Sequence, residues 1–408
     1  KERTSIPSAF IELALAVMLS VGEGFSAPTR LERLSVFTTF EYSRGAIIHA
    51  VTHQSGTPES RKRADSRGLA LGLLVAVGIL FFLIHLGFGS TNFVSPLQVV
   101  KELLRGRTNS DDSVNTVVWA IRLPKALYCV LAGGMLGVVG SAFQAVFRNP
   151  LAEPYTVGVS SGAAVGGVIA QLLGLDFVFF GLGTPILGFV GGMLSLLLVF
   201  GLVRKRGVVD VTHLLLAGVV VGALLSAILS ILILMSGSDT NRLMQWLLGS
   251  TSPAFWERVW LMLILLVGGT WVLRGQTRKL NALAIGEDTA ARLGIDPNRL
   301  KWVVLSVGTA MAATTVGTVG AIAFLGLVAP HISRRILGVD WRWSLMGSLV
   351  VGAALMLAAD VVAQRGLPWL GHLLTGKELL ATELPIGAVT ALFGAPSLLI
   401  LLRKGERA

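Results

Sequence analysis

Charge is what this chain has least of. Asp, Glu, Lys and Arg together make up 14% of its 408 residues, against about 25% in an ordinary soluble domain. That scarcity excludes a soluble globular protein. With 53% hydrophobic residues there is more apolar surface than one water-facing core hides, and several runs reach the roughly 20 residues that cross a bilayer. Cysteine is nearly absent: the single Cys129 excludes an internal disulfide and suggests no metal cluster. The apolar runs also lack an HExxH motif and a Ser–His pairing, so an intramembrane enzyme would have no nucleophile, base or metal set. No catalytic residue, bound cofactor or metal is expected.

What is abundant fits a polytopic helical membrane protein. The 48 glycines suit helices that pack closely in lipid. The net charge of +11 marks loops kept on the cytoplasmic side rather than a nucleic-acid partner. Residues 1–67 are mixed and polar, with a short apolar stretch at Ile11–Val21 and a basic end, and read as a poorly ordered extension. The membrane domain is expected over 68–408, with spans near 69–87, 126–147, 155–174, 184–203, 213–236, 256–273, 344–363 and 385–402.

The stretch from Trp302 to Pro330 is long for one helix and short for two. Charge arbitrates. With the start inside, the loops after spans two, four and six carry Arg148, then Arg204–Arg206, then six cations between Arg274 and Lys301, while the opposite loop at 175–183 has no Lys or Arg. A single span at 302–330 would throw Arg334, Arg335 and Arg342 outside; two short helices turning near Gly317–Gly320 return them. The expected count is therefore ten spans with both termini in the cytoplasm. Glycine-interrupted short helices of this kind line transport paths.

The polar interruption "FRNPLAEPYTVG" (147–158) then reads as a tight cytoplasmic turn. Arg148 must sit at a boundary, because a mid-membrane arginine costs about 2.5–3.5 kcal/mol. Asn149 is pushed out of helical geometry by Pro150. Pro154 suits the first turn of the third span, and Glu153 its positive dipole end.

Five collinear stretches carry a resemblance: 121–166, "LNALAIGEDTAARLGID" (280–296), "GAIAFLGLVAPHISRRILGVDWR" (320–342), "LAADVVAQ" (357–364) and "ELPIGAVTALFGAPSLLILLRK" (383–404). Together they resemble the permeases of the binding-protein-dependent ABC importers for iron-siderophores, haem and cobalamin. The resemblance implies an all-α fold of ten helices and a homodimer in the cytoplasmic (inner) membrane around a path lined by the fifth and tenth spans. It also implies ATP and Mg bound by separate ATPase subunits and cargo delivered by a periplasmic or lipoprotein binding protein. Within 274–301 it implies a coupling helix for the ATPase, with Leu280, Ala284, Ala291 and Leu293 as small apolar contacts and Gly286 and Gly294 as turn points. Arg148, Asn149, Pro150 and Glu153 would brace it. At the outer rim Arg122 and Lys125 fall where the family has a pair of docking arginines, and Gln364, followed by Arg365, falls where it has a third.

Other features are weaker. "GHLLTGKE" (371–378) mimics a phosphate loop but has Glu378 where Ser or Thr must reach magnesium; it falls in an expected external loop, 366–377. Gly158, Gly162 and Gly166, and Gly218 and Gly222, form small-residue packing ridges. His331 lacks ligand-spaced neighbours. Asp360 is the one carboxylate deep enough to watch. An ion-coupled secondary transporter is the alternative; it would need acidic groups in broken spans, and the long cytoplasmic segment would have no purpose.

Overall fold

A computed structural model of the chain describes residues 58–88, 94–107, 113–176, 178–203, 210–375 and 383–405. Most of the expected N-terminal extension (1–57), the basic triplet 204–206 and residues 376–377 of the expected outer loop lie outside the described residues. The chain divides into two compact units, 1–66 and 67–408.

Every described regular element is helical. In chain order they are α1 (Pro58–Gly87), α2 (Pro96–Arg105), α3 (Leu123–Phe147), α4 (Val159–Leu172), α5 (Gly183–Val203), α6 (Val211–Met235), α7 (Thr240–Leu247), α8 (Trp256–Ile285), α9 (Glu287–Arg292), α10 (Pro297–Val319), α11 (Leu325–Leu337), α12 (Trp341–Thr375) and α13 (Ile386–Gly405). A short helix (Ser113–Val117) and a π-helical turn (Val118–Arg122) lead into α3. Among the described residues, seven helices are long and apolar enough to cross a membrane: α1, α3 with its lead-in, α5, α6, α8, α10 and α12. α4, α11 and α13 fall in the other expected regions, but α4 and α11, with 14 and 13 residues, are too short to cross alone.

Three boundaries differ from the sequence reading. The first helix opens at Pro58, inside the expected extension. α12 runs on to Thr375, so most of the expected loop 366–377 is helix; its "LPWLGHLLT" is apolar enough to prolong the span. The reversal after α10 falls at Gly320–Phe324 rather than Gly317–Gly320: α10 holds to Val319, and the chain turns where Gly320 has φ +78° and Phe324 φ +66°.

α3 is the axis of the bundle. It packs against α8, α10, α11 and α12, and 89% of its most apolar window is buried, against 11% for α1. Between lipid-bathed helices no water-driven force operates, so close backbone approach has to supply the attraction. Gly133 and Gly137 meet Gly352 and Ser348 of α12, and Gly140 meets Gly326 of α11, with no room for a β-carbon at any of the three. α4 packs on α5 the same way through Gly162 and Gly166, and Gly158 lies against Gly218 and Gly222 of α6, so both glycine ridges are packing surfaces.

Gly137→Ala drives a methyl into the Ser348 carbonyl and is expected to lower the thermal unfolding midpoint of the purified protein by several degrees. Gly72→Ala, on the open face of α1 with nothing within 4 Å, leaves it unchanged or slightly higher. Equal midpoints would mean that α3 and α12 are not in contact.

Candidate functional site: an inner coupling surface and an outer polar cluster

The bundle end that the charge pattern assigns to the cytoplasm is called inner below. There α8 does not stop with its apolar span but runs on to Ile285, and the chain then turns into α9. The expected single helix over 280–296 is thus two pieces: Leu280 and Ala284 belong to the tip of α8, Ala291 to α9. Leu280 is fully buried, with Leu283 and Ala290 beside it, and packs inward. Ala284, Ala291, Leu293 and Gly294 are exposed. So is Ile285, which spacing did not single out; it and Leu293 are 75% and 66% exposed. Gly294 needs to be glycine, with φ +77°. Gly286 does not: its φ of 160° is extended backbone open to any residue, so the expected special turn there falls away.

This segment is tied to the membrane helices at three points. Glu287 is the hub, with the Lys301 ammonium of α10 at 2.8 Å and the Arg148 guanidinium at 3.9 Å. Lys301 is 1% exposed, and a buried ammonium needs such a partner. Asn281, on α8, exchanges hydrogen bonds with the loop before α12: its amide donates to Asp340 Oδ1 at 3.0 Å, and its Oδ1 accepts from the Trp341 N–H at 3.1 Å. Burial pushes the Asp340 carboxyl up, but hydrogen bonds from Arg342 and Asn281 outweigh it and hold it at about 2.

The turn at 147–158 adjoins the segment, as the sequence suggested. Arg148 closes α3 in the left-handed region, φ +48°, and Asn149 Oδ1 accepts from the Leu151 N–H at 2.9 Å. A cleft of about 260 Å³ lies between Arg148, Asn149, Pro150 and Ala284, with Gln144 and Arg334 on its walls. Glu153 is placed differently. Pro154 does not begin a helix; α4 starts at Val159 after a left-handed Gly158. The buried Glu153 side chain instead lies against Gly326 in the first turn of α11, near that helix's positive end.

At the outer end the expected docking cations turn inward. Arg122 donates from one nitrogen to the Leu86 and Gly87 carbonyls at 3.0 and 2.9 Å, closing the last turn of α1. Lys125 donates to Glu383 at 2.9 Å, and Gln364 to Asp360 Oδ2 at 2.5 Å. With Arg122 and Lys125 6% and Gln364 5% exposed, these side chains hold the fold together and present no charge on a free rim. Arg365 is half-buried. Asp360 is no surface cap: it is 2% exposed and also accepts from Thr251 at 2.6 Å and contacts His85 at 2.7 Å.

A bundle of long apolar helices around a buried axis, with a polar segment braced at one end, is the architecture of a polytopic membrane protein. The chain belongs to the FecCD transport family, whose pattern matches residues 76–404. It is 38% identical over 295 residues to the cobalamin import system permease protein of Halobacterium salinarum, covering 72% of this chain and 75% of that one. Similarity to the vitamin B12 import system permease protein of Escherichia coli is also 38%, over 292 residues, 71% of this chain and 84% of that one. An uncharacterised ABC transporter permease of Bacillus subtilis is 36% identical over 305 residues, 74% and 83% of the two chains. Among solved structures, a chain from a transporter described as metal-chelate type ABC, in an inward-facing conformation, aligns with TM-score 0.68 and 29% identity over 83% of this chain and all of that one. The chain is accordingly a permease subunit of the ABC importer class.

Glu287→Gln removes the carboxylate paired with the Lys301 ammonium and is expected to destabilise the protein by about 1–3 kcal/mol; adding Lys301→Met recovers part of the loss, read as a double-mutant cycle in thermal unfolding. The Asp340 tie has its own pH signature. Its stabilisation is complete above the ordinary aspartate value near 3.9 and is lost as pH falls through about 2, so Asp340→Asn narrows the stability difference from wild type only on acidification below pH 4.

Proposed function

We propose that this chain forms the translocation path of an ATP-driven importer, as a homodimer in the inner membrane with both termini in the cytoplasm. Cargo arrives on a soluble or lipid-anchored binding protein and passes between the two subunits, while two separate ATPase subunits supply the energy. The cargo class is a corrinoid or a comparable large metal chelate. The curated relatives at 38% identity named for cobalamin and vitamin B12 import support it, as does the metal-chelate type of the solved neighbour.

The observation that carries the reading is the inner segment: two exposed apolar side chains, Ile285 and Leu293, on a polar platform tied to α3, α10 and the α12 entrance through Glu287 and Asn281. Apolar groups held out in water by a braced short helix fit a cleft on a partner, and the braces carry its displacement to the membrane helices. The half-exposed Arg148–Glu287 pair contributes little energy on its own and can re-form in a second arrangement. An ion-coupled mechanism finds less support, since Asp360 already has His85, Thr251 and Gln364 as partners.

Co-expression with the cognate ATPase tests this. Ile285→Asp and Leu293→Asp leave the permease inserted and folded, because both positions are exposed, but are expected to abolish co-purification of the ATPase and cargo-stimulated ATP turnover. Retention of both activities in the double variant would remove the coupling role. Concentrative cobalamin uptake by proteoliposomes lacking any ATPase would instead support the ion-coupled alternative.

A further inference from the structure

The outer cluster contains a set of donors that the permease reading does not use. His85 comes from the last turn of α1, Cys129 from the second turn of α3 and Asp360 from the middle of α12. Their ligand atoms, one imidazole nitrogen, one sulfur and one carboxylate oxygen, all lie within 4.8 Å of one another. Each residue is 2% exposed or less. His85 Nε2 is 2.7 Å from Asp360 Oδ2 and 3.8 Å from Cys129 Sγ. We infer that His85, Cys129 and Asp360 form a binding site for a zinc-type divalent cation that staples α1 to α3 and α12.

The His85–Asp360 and His85–Cys129 distances are close to those such an ion requires, and Cys129 Sγ lies within 4.8 Å of the carboxylate. Ligands at about 2.0 Å (N, O) and 2.3 Å (S) around a tetrahedral centre stand about 3.3–3.6 Å from each other. The His–Asp pair would open by roughly half an ångström and the His–Cys pair would close by a few tenths. Thiolate with imidazole selects zinc or its analogues over magnesium or calcium. The carboxylate is already oriented by Thr251 on Oδ1 at 2.6 Å and Gln364 on Oδ2 at 2.5 Å, which is what outer-shell partners do for a ligand. With Nε2 on the metal, the ring proton resides on His85 Nδ1, which has no hydrogen-bond partner.

Charge points the same way. The Lys125 ammonium, 3.9 Å from Asp360 Oδ2, is paired with Glu383 at 2.9 Å. Asp360 is the buried carboxylate of the set, since Glu383 is partly exposed. A divalent cation brings positive charge to it, and Cys129 releases its thiol proton to solvent as the thiolate ligand forms.

The staple also has something to hold. The shaft of α1 exposes Leu69, Leu73, Ile79 and Leu80 by more than half, whereas Leu86 at its outer end is fully buried. Its anchorage therefore concentrates where His85 sits and where Arg122 closes its carbonyls.

The test uses tag-free, full-length protein, reduced and in nanodiscs, titrated with cobalt(II) as the spectroscopic probe. One equivalent is expected to give tetrahedral visible bands and a near-ultraviolet thiolate-to-cobalt transition, both removed by one equivalent of zinc(II). Because Cys129 is the sole cysteine, a thiolate transition can come from nowhere else. Cys129→Ser should lose it, and His85→Gln should weaken zinc(II) binding at least tenfold. Zinc(II) should raise the unfolding midpoint of wild type and not of either variant. Absence of the thiolate transition in folded wild type, which requires no variant to fold, overturns the site, as does unaltered zinc(II) affinity in His85→Gln.

Discussion

Close approach of α3 to α12 and α11 is the contact on which the rest of the molecule depends. In lipid an exposed apolar side chain gains nothing by being covered with another, so association rests on packing and on polar groups that cannot be left bare. Gly133, Gly137 and Gly140 bring the backbones together along one face of α3. That face is about 37 Å of continuous helix, at 1.5 Å per residue over 25 residues. Polar groups stand at both ends of it: Lys125 and the Arg122 that precedes it at the outer end, Gln144 and Arg148 at the inner. The same rod therefore carries the outer cluster and one brace of the coupling segment.

The two ends differ in how tightly their charges are held. His85 and Asp360 have side chains 2% and 3% exposed, and Lys125 is 8% exposed beside them. Pairs of this kind are screened little and resist separation, because removing one partner leaves a charge in a low-dielectric interior. At the inner end Arg148 is 44% and Glu287 32% exposed. Water competes there, and the contact can be exchanged for another at small cost. A fixed outer end and an exchangeable inner end are what a helix needs if it is to be pushed from one side.

Much of this was legible in the sequence, and the limits are physical. Apolar run length and the sign of the loop charges locate the seven long apolar helices among the described residues and the reversal between α10 and α11, because bilayer thickness and the cost of crossing cations act on local sequence. The turn at Arg148–Pro150 was legible for the same reason. The placement of Glu153 was not: helix-start signals pointed to the next helix in the chain, whereas its side chain lies against Gly326 of α11, far along the sequence. The outer cations misled because residue type and boundary position suit a docking rim and a helix clasp equally. His85 and Asp360 stand 275 residues apart, and no spacing rule joins them. Glu287 and Lys301 are 14 apart, but they lie on two helices separated by a glycine turn, so helical periodicity does not pair them either.

The broken helices show why these long-range polar contacts are needed. Backbone without helical partners is tolerated at membrane depth only where protein or enclosed water satisfies it. α4 and α11 are both too short to cross alone, and each follows a non-helical lead, 148–158 and 320–324. Gly158 lies against Gly218, about two turns inside α6, so the first lead enters the bundle rather than skimming its surface. The first lead and α11 are packed together: Glu153 lies against Gly326, and Gln144, from the last turns of α3, donates to the Gly326 carbonyl at 3.2 Å. Gln144 also accepts from Arg334 at 2.5 Å, and that guanidinium lies over the Trp341 ring. Trp341 in turn is bonded to Asn281 of the coupling segment. The inner segment is therefore linked directly to α12 at Trp341, and from there, through the stacked Arg334 guanidinium and its hydrogen bond to Gln144, to the broken helix α11 and to α3.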